Sequence, residues 1–306
     1  MVAETKEPEN SSMPAESSLK AAGERTRLAQ LHPKHFFLET WREIDEEAAA
    51  ERAARKAEGR GYDWRPLVAL TVGGLCLTML EYWGNSATFV QLLTWLHGDA
   101  SEPSFFSELR TSRFARLMQM AYWALWRVLA YVVIPCVVIR MMGERVRDQG
   151  LATKGFRKHA WIYFLCFAVV FVCVIGVSFT ESFARKYPMY SAADRSWFDL
   201  LSWEILYAAQ FFALEFFFRG WWLKAMKSAL GSHAIFAMVV PYVMIHFGKP
   251  GLETVGAIFA GVVLGTLAMK TRSIWSGVLI HVSVALTMDL VSLVQRGALP
   301  SAWWPT

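Results

Sequence analysis

An all-α, polytopic transmembrane helix bundle is the fold class this sequence predicts, and three observations predict it. Of 306 residues, 55% are hydrophobic and only 19% charged, with a mean hydropathy of +0.29, too apolar for an ordinary water-soluble domain. The apolar residues gather in runs that approach the roughly 20 residues needed to cross a bilayer core. Aromatic residues, 14% of the chain, stand near the ends of many of these runs, where amphipathic rings sit well at headgroup level.

The first 60 residues are a polar cytoplasmic tail, partly helical or disordered. They lack the apolar core of a cleavable signal peptide, and the opening Glu7-Pro8-Glu9-Asn10-Ser11-Ser12 has too little apolar surface to fold alone. From Leu38 to Glu58 the chain is rich in Ala, Glu and Arg, with i,i+4 charge pairs such as Glu51 and Arg55, and this predicts a solvated helix. Residues 61–306 form the transmembrane domain. Its apolar runs are 66–83, 117–139, 160–179, 197–218, 234–245, 255–269 and 274–294, so about seven spans are expected, the fifth and sixth short. A breaker-rich link, His246-Phe247-Gly248-Lys249-Pro250-Gly251, separates those two; such backbone is tolerated at membrane depth only inside protein or beside water. Ala257, Gly261 and Gly265 recur every fourth residue, which lets a neighbouring helix approach closely.

The formal charge of +5 does not form one broad basic face, so no nucleic-acid partner is expected. The cations fall beside apolar runs and report topology. Arg52, Arg55, Lys56, Arg60 and Arg65 precede the first span, and Arg140, Arg145 and Arg147 follow the second; both regions are read as cytoplasmic. Arg110, Arg113 and Arg116 run against this alternation. Cys76, Cys136, Cys166 and Cys173 lie within apolar stretches without ligand spacing and read as small hydrophobes.

Ionisable groups inside a span are costly and mark functional candidates. Glu215 and Arg219 stand one helical turn apart amid aromatics in Leu214-Glu215-Phe216-Phe217-Phe218-Arg219-Gly220, so they can pair; a neutralised charge pair near the cytoplasmic boundary is an equally weighted reading of these two alone. His246 closes the fifth run, where a lone histidine is more often interfacial than a ligand. His281 lies about seven residues into the last run, and an unpartnered imidazole there would be expensive. One carboxylate and two histidines from three helices are the ligand set of a catalytic Zn²⁺ with an open water position. The same trio without metal can serve as general base and oxyanion donor, and spacing does not choose between them. Asp289, Glu253 and Glu204 are accessory candidates. On a straight helix Asp289 is about 12 Å beyond His281 and rotated by roughly 80°, which suits an orienting role. A tilted or re-entrant fifth segment is required to bring His246 to the depth of Glu215 and His281.

In order and spacing, Glu215 to Arg219, Tyr242 to His246 and the segment from His281 resemble the three motifs of the CAAX-prenyl-protease and bacteriocin-processing (Abi, or CPBP) intramembrane proteases. Those motifs are a Glu-Glu-x-x-x-Arg helix, a Phe-x-x-x-His helix end and a His-x-x-x-Asn helix, here within a core at about 197–296. The resemblance implies a CPBP-type intramembrane metalloprotease, in which water activated by Glu215 and held by His246 and His281, directly or through a divalent metal such as zinc, attacks a peptide bond. Glu215, His246, His281 and Arg219 are its implied catalytic residues. A membrane-associated peptide or protein is its implied substrate, and the bacterial inner membrane its implied place. Two departures stand out: Leu214 replaces the first glutamate, which the family uses as its catalytic carboxylate, and Ala285 replaces the second polar residue of the third motif. They motivate an alternative, a catalytically inactive scaffold or immunity-type protein that binds a membrane peptide or lipid. A proton-relay transporter is disfavoured by the absence of internal repeats. A serine protease is disfavoured because Ser276-Gly277 lacks a second glycine to shape a nucleophile turn.

Overall fold

The computed structural model describes residues 32–98, 104–153 and 156–305, with backbone alone over 156–160. All regular elements among them are helical. The expectation of disorder over the opening residues lies outside the described part.

The first long helix, α1 (Thr40–Ala57), continues a π-helical turn at Lys34–Glu39. The solvated helix expected there instead buries one face, with Ile44 and Ala48 inside. Its polar groups are docked across the ends of later helices. Trp41 Nε1 donates to Thr266 Oγ1 at 3.0 Å, Arg52 donates to the Ser228 carbonyl at 2.7 Å, Asp45 accepts from the Ser232 amide at 2.7 Å, and Glu47 meets Lys227 and Arg272. Just after it, Arg65 donates to Asp63, and this hydrogen bond holds the Asp63 carboxyl below the usual carboxylate range.

Helices α2 (Arg65–Tyr82) and α3 (Ser86–His97) are bent by 64° at Trp83–Asn85. The bend frees backbone carbonyls that bulk lipid cannot satisfy. Tyr122 donates to the Trp83 carbonyl at 2.8 Å and Arg127 to the Gly84 carbonyl at 3.0 Å, so the deep arginine is spent on the break. Helix α4 (Ala115–Met141) carries an internal π turn at Leu129–Val133, and α5 spans Phe156–Val177. Helix α6 (Trp197–Leu230) is continuous through a second π segment at Phe216–Trp222. Then come α7 (His233–Met244), α8 (Gly251–Thr271) and α9 (Trp275–Gln295).

Among the described residues, α4, α6, α8 and α9 are long and apolar enough to cross a membrane, and the bent α2–α3 pair counts as a fifth if it is one broken span. The expected count of seven is not reached among the described residues. Helix α7 has 12 residues, about 18 Å at 1.5 Å each against a hydrocarbon core of about 30 Å. Pro241 inside it and the breaker link after it explain the early stop. Helix α5, by contrast, runs over 22 residues, long enough to cross such a core.

The continuation of α6 past Glu215 as far as Leu230 removes the depth conflict. Helix α6 is 34 residues long, and the chain reverses at Gly231, whose φ of 56° favours glycine. Helix α7 then climbs back along α6, so His246 lies as far past the turn as Glu215 lies before it, to within one residue. The apolar core gathers at this level, around Phe216, Phe217, Phe218, Trp221, Trp222, Ile235 and Tyr242. Gly261 seats α8 there: a Cβ would stand 2.9 Å from Val239 and 3.2 Å from the Tyr242 ring.

Candidate functional site

The pairing expected from helical spacing is present. Arg219 Nη1 donates to Glu215 Oε1 at 2.8 Å, and the two side chains are fully enclosed, at 0% and 1% exposure. Enclosing two charges is expensive unless they are matched in geometry and sign. The site therefore depends on this pair staying intact. Glu215 closes the regular part of α6, and Arg219 sits within the π segment, a widened turn common at functional positions. Gly220 inside that segment lets the backbone at Gln149 approach, since a Cβ there would stand 2.5 Å from the Gln149 carbonyl oxygen.

His281 supplies the contact its depth demanded. Its Nδ1 lies 2.7 Å from Glu215 Oε1, yet off the hydrogen-bond direction, so Nδ1 keeps free hydrogen-bonding capacity. The contact is a close electrostatic one. The other nitrogen, Nε2, is 2.9 Å from Tyr242 Oη, and the ring stacks on Phe211 at 5.3 Å and 10°. One turn before His281, Gly277 makes room for the carboxylate: a Cβ there would stand 2.0 Å from Glu215 Oε2.

His246 joins through Tyr242. Its Nδ1 is 2.7 Å from the Tyr242 carbonyl oxygen. A carbonyl only accepts, so Nδ1 carries the proton and Nε2 is left with a lone pair. The rings of Tyr242 and His246 meet edge to face at 4.8 Å.

Two of the three accessory candidates, Asp289 and Glu253, have structural partners elsewhere. Asp289 is fully buried and accepts from the Met189 amide at 2.9 Å and from Trp203 Nε1 at 2.8 Å, pinning the 187–190 loop to α9 instead of orienting His281. Glu253 accepts from Tyr187 Oη at 2.7 Å and from Lys249 at 2.6 Å, so Lys249 serves as its counter-ion. Glu204 has a buried Oε1 without a hydrogen-bond partner. Leu214 is buried in the apolar cluster with Phe217 and Trp221, and Ala285 packs with Tyr190, Trp203 and Tyr207.

At the centre, Glu215 Oε2, Arg219 Nε and Nη2 and His281 Nδ1 are buried with hydrogen-bonding capacity that no protein atom uses. Native interiors rarely leave such groups unpaired without a reason. Four of them around one ion pair can bind a water or polarise a carbonyl. As a metal site the fit is poor. Among the described residues no three His, Cys, Asp or Glu side chains come together to hold an ion, Arg219 and His281 already crowd Glu215 Oε1, and Tyr242 engages His281 Nε2. Two contributors escape sequence reasoning, the Tyr242 hydroxyl and the missing side chain at Gly277; a tyrosine in an apolar run was the only visible signal for the first.

The Rce1-like family model, type II CAAX prenyl endopeptidase Rce1-like, matches residues 196–287. The match contains Glu215, Arg219, Tyr242, His246 and His281, and it agrees with the CAAX-protease resemblance carried by the three motifs. No curated protein and no solved structure matches the chain.

Proposed function

We propose that this integral membrane protein is an intramembrane endopeptidase of the CAAX-processing type, with Glu215 as its working carboxylate. The observation that carries the reading is the buried ion pair of Glu215 and Arg219, contacted by His281 and ringed by unpaired polar atoms. Water held by Glu215 Oε2 adds to the scissile carbonyl carbon and gives its proton to the carboxylate. Arg219 Nη2 donates to the oxyanion that forms. Collapse breaks the C–N bond, and the proton passes from Glu215 to the leaving amine. His281 steadies Glu215, and His246, joined to the cluster through Tyr242, offers its Nε2 lone pair as a further acceptor. The substrate is a membrane-associated peptide, and the bacterial inner membrane with a cytoplasmic amino terminus belongs to the same proposal; the Lys and Arg distribution supports the side of the terminus.

Purified protein in nanodiscs is expected to cleave an internally quenched peptide bearing a farnesylated cysteine near its carboxyl terminus. Zinc is tested separately by elemental analysis beside His246→Ala and His281→Ala; a near-stoichiometric ion lost from both folded variants would replace the metal-free route given above.

One observation favours the inactive scaffold as a second reading: Leu214, where the family motif has its catalytic glutamate, is buried among aromatics. Leu214→Glu separates the two. If Glu215 is the working group, a second buried carboxylate beside it lowers cleavage by the parent. An inert parent that gains cleavage on Leu214→Glu with Ala285→Asn would establish the scaffold instead.

A further inference from the structure

Tyr242 is the one residue of the cluster that touches all its other parts except Glu215. Its ring carries the Arg219 guanidinium carbon at 4.0 Å, a cation–π seat for an arginine whose Nε and Nη2 lack partners. Its carbonyl fixes the His246 tautomer. Its hydroxyl is 2.9 Å from His281 Nε2. The ring is 1% exposed and is held by Phe218 on one side, at 5.6 Å, and by the seat that Gly261 leaves on the other. The second motif of the family that the chain resembles has a phenylalanine at this place, which carries no hydroxyl.

The proton arrangement follows from the acceptors. Glu215 opposite Arg219 is a carboxylate and can only accept. For His281 Nδ1 to sit favourably 2.7 Å from it, Nδ1 must carry a proton. A neutral ring then has a bare Nε2, which the Tyr242 hydroxyl satisfies as donor. The opposite tautomer would set a lone pair against the carboxylate and an N–H against the phenol. We infer that Tyr242 is a positioning residue: its hydroxyl locks His281 in the Nδ1–H tautomer and so sets an N–H, not a lone pair, beside Glu215. The inference rests on the proposed hydrolytic reading for its consequence in catalysis, while the lock itself is a property of the folded protein.

Tyr242→Phe removes the oxygen and keeps the ring under Arg219, so the bundle is expected to fold as the parent does. ¹⁵N NMR of the histidine-labelled full chain in nanodiscs, with the His281 signals assigned by their loss in His281→Asn, reads the tautomer directly. The parent is expected to show His281 protonated at Nδ1 alone, and Tyr242→Phe a mixture of both tautomers. On the quenched farnesylated peptide, kcat is expected to fall about tenfold, the equivalent of one hydrogen bond of about 1.4 kcal/mol, with KM unchanged. A single unchanged tautomer in Tyr242→Phe overturns the inference, and so does a shifted tautomer with full kcat. If the parent cleaves nothing, the proposed function fails, yet the NMR result still decides whether Tyr242 sets the tautomer.

Discussion

Glu215→Gln is expected to lower peptide cleavage by about 10²–10⁴-fold, the usual contribution of a positioned general base. The amide keeps the shape of the carboxylate and can still accept from Arg219, which now donates to Glu215 Oε1 at 2.8 Å. What it loses is the ability to take a proton from water and the charge opposite a guanidinium with a 0% exposed side chain. The second loss has its own consequence. Removing one partner of a buried pair costs about 3–5 kcal/mol because the other charge is left uncompensated, so the single variant also unfolds at lower temperature. The double variant Glu215→Gln with Arg219→Gln separates the two effects. It restores a neutral, hydrogen-bondable pair and is expected to regain much of the thermal stability without regaining cleavage. Cleavage by Glu215→Gln at the parental rate, measured on the quenched farnesylated peptide, would remove Glu215 from the chemistry.

What was legible in the sequence follows the range of the interactions concerned. Glu215 and Arg219 are four residues apart on a helix, so their contact is fixed by a local repeat and could be read directly. His281 announced only a need, since a mid-span imidazole must find a partner; that the partner is Glu215 depends on how α9 packs against α6, which no local pattern encodes. The early stop of α7 was foreshadowed by Pro241 and the breakers after His246, but counting apolar runs still scored it as a span, because composition does not measure whether a helix is long enough. The bend at Trp83–Asn85 was invisible for the converse reason: the donors that make it tolerable, Tyr122 and Arg127, come from another helix. Asp289 was read as an accessory because it shares a helix with His281, whereas its partners Met189 and Trp203 are 100 and 86 residues away. The π segment that holds Arg219 leaves no periodic signature in a run of Phe and Trp.

Gly277→Ala is the sharpest steric test of the site. The added methyl would stand 2.0 Å from Glu215 Oε2, 2.6 Å from Cδ and 3.2 Å from Oε1, distances that no relaxed structure retains. The end of a glutamate side chain is normally free to step aside, which would make such a clash cheap. Here it is not free: Oε1 is held by Arg219 and lies against His281 Nδ1, and the side chain is 1% exposed. Any displacement therefore pulls the carboxylate off the guanidinium, with a cost approaching that of breaking the pair, about 3–5 kcal/mol, and moves the base away from its water. A lower unfolding temperature and loss of cleavage are expected together. Gly74→Ala and Gly256→Ala are the matched controls, because each glycine lies within a helix and a Cβ there meets nothing within 4 Å. Alanine's greater helix propensity should make each neutral to stabilising, by up to about 1 kcal/mol. If Gly277→Ala behaves like these two, Glu215 is not clamped where Arg219 and His281 place it. If it alone collapses, the absent side chain at position 277 is as much a part of the site as the carboxylate it accommodates.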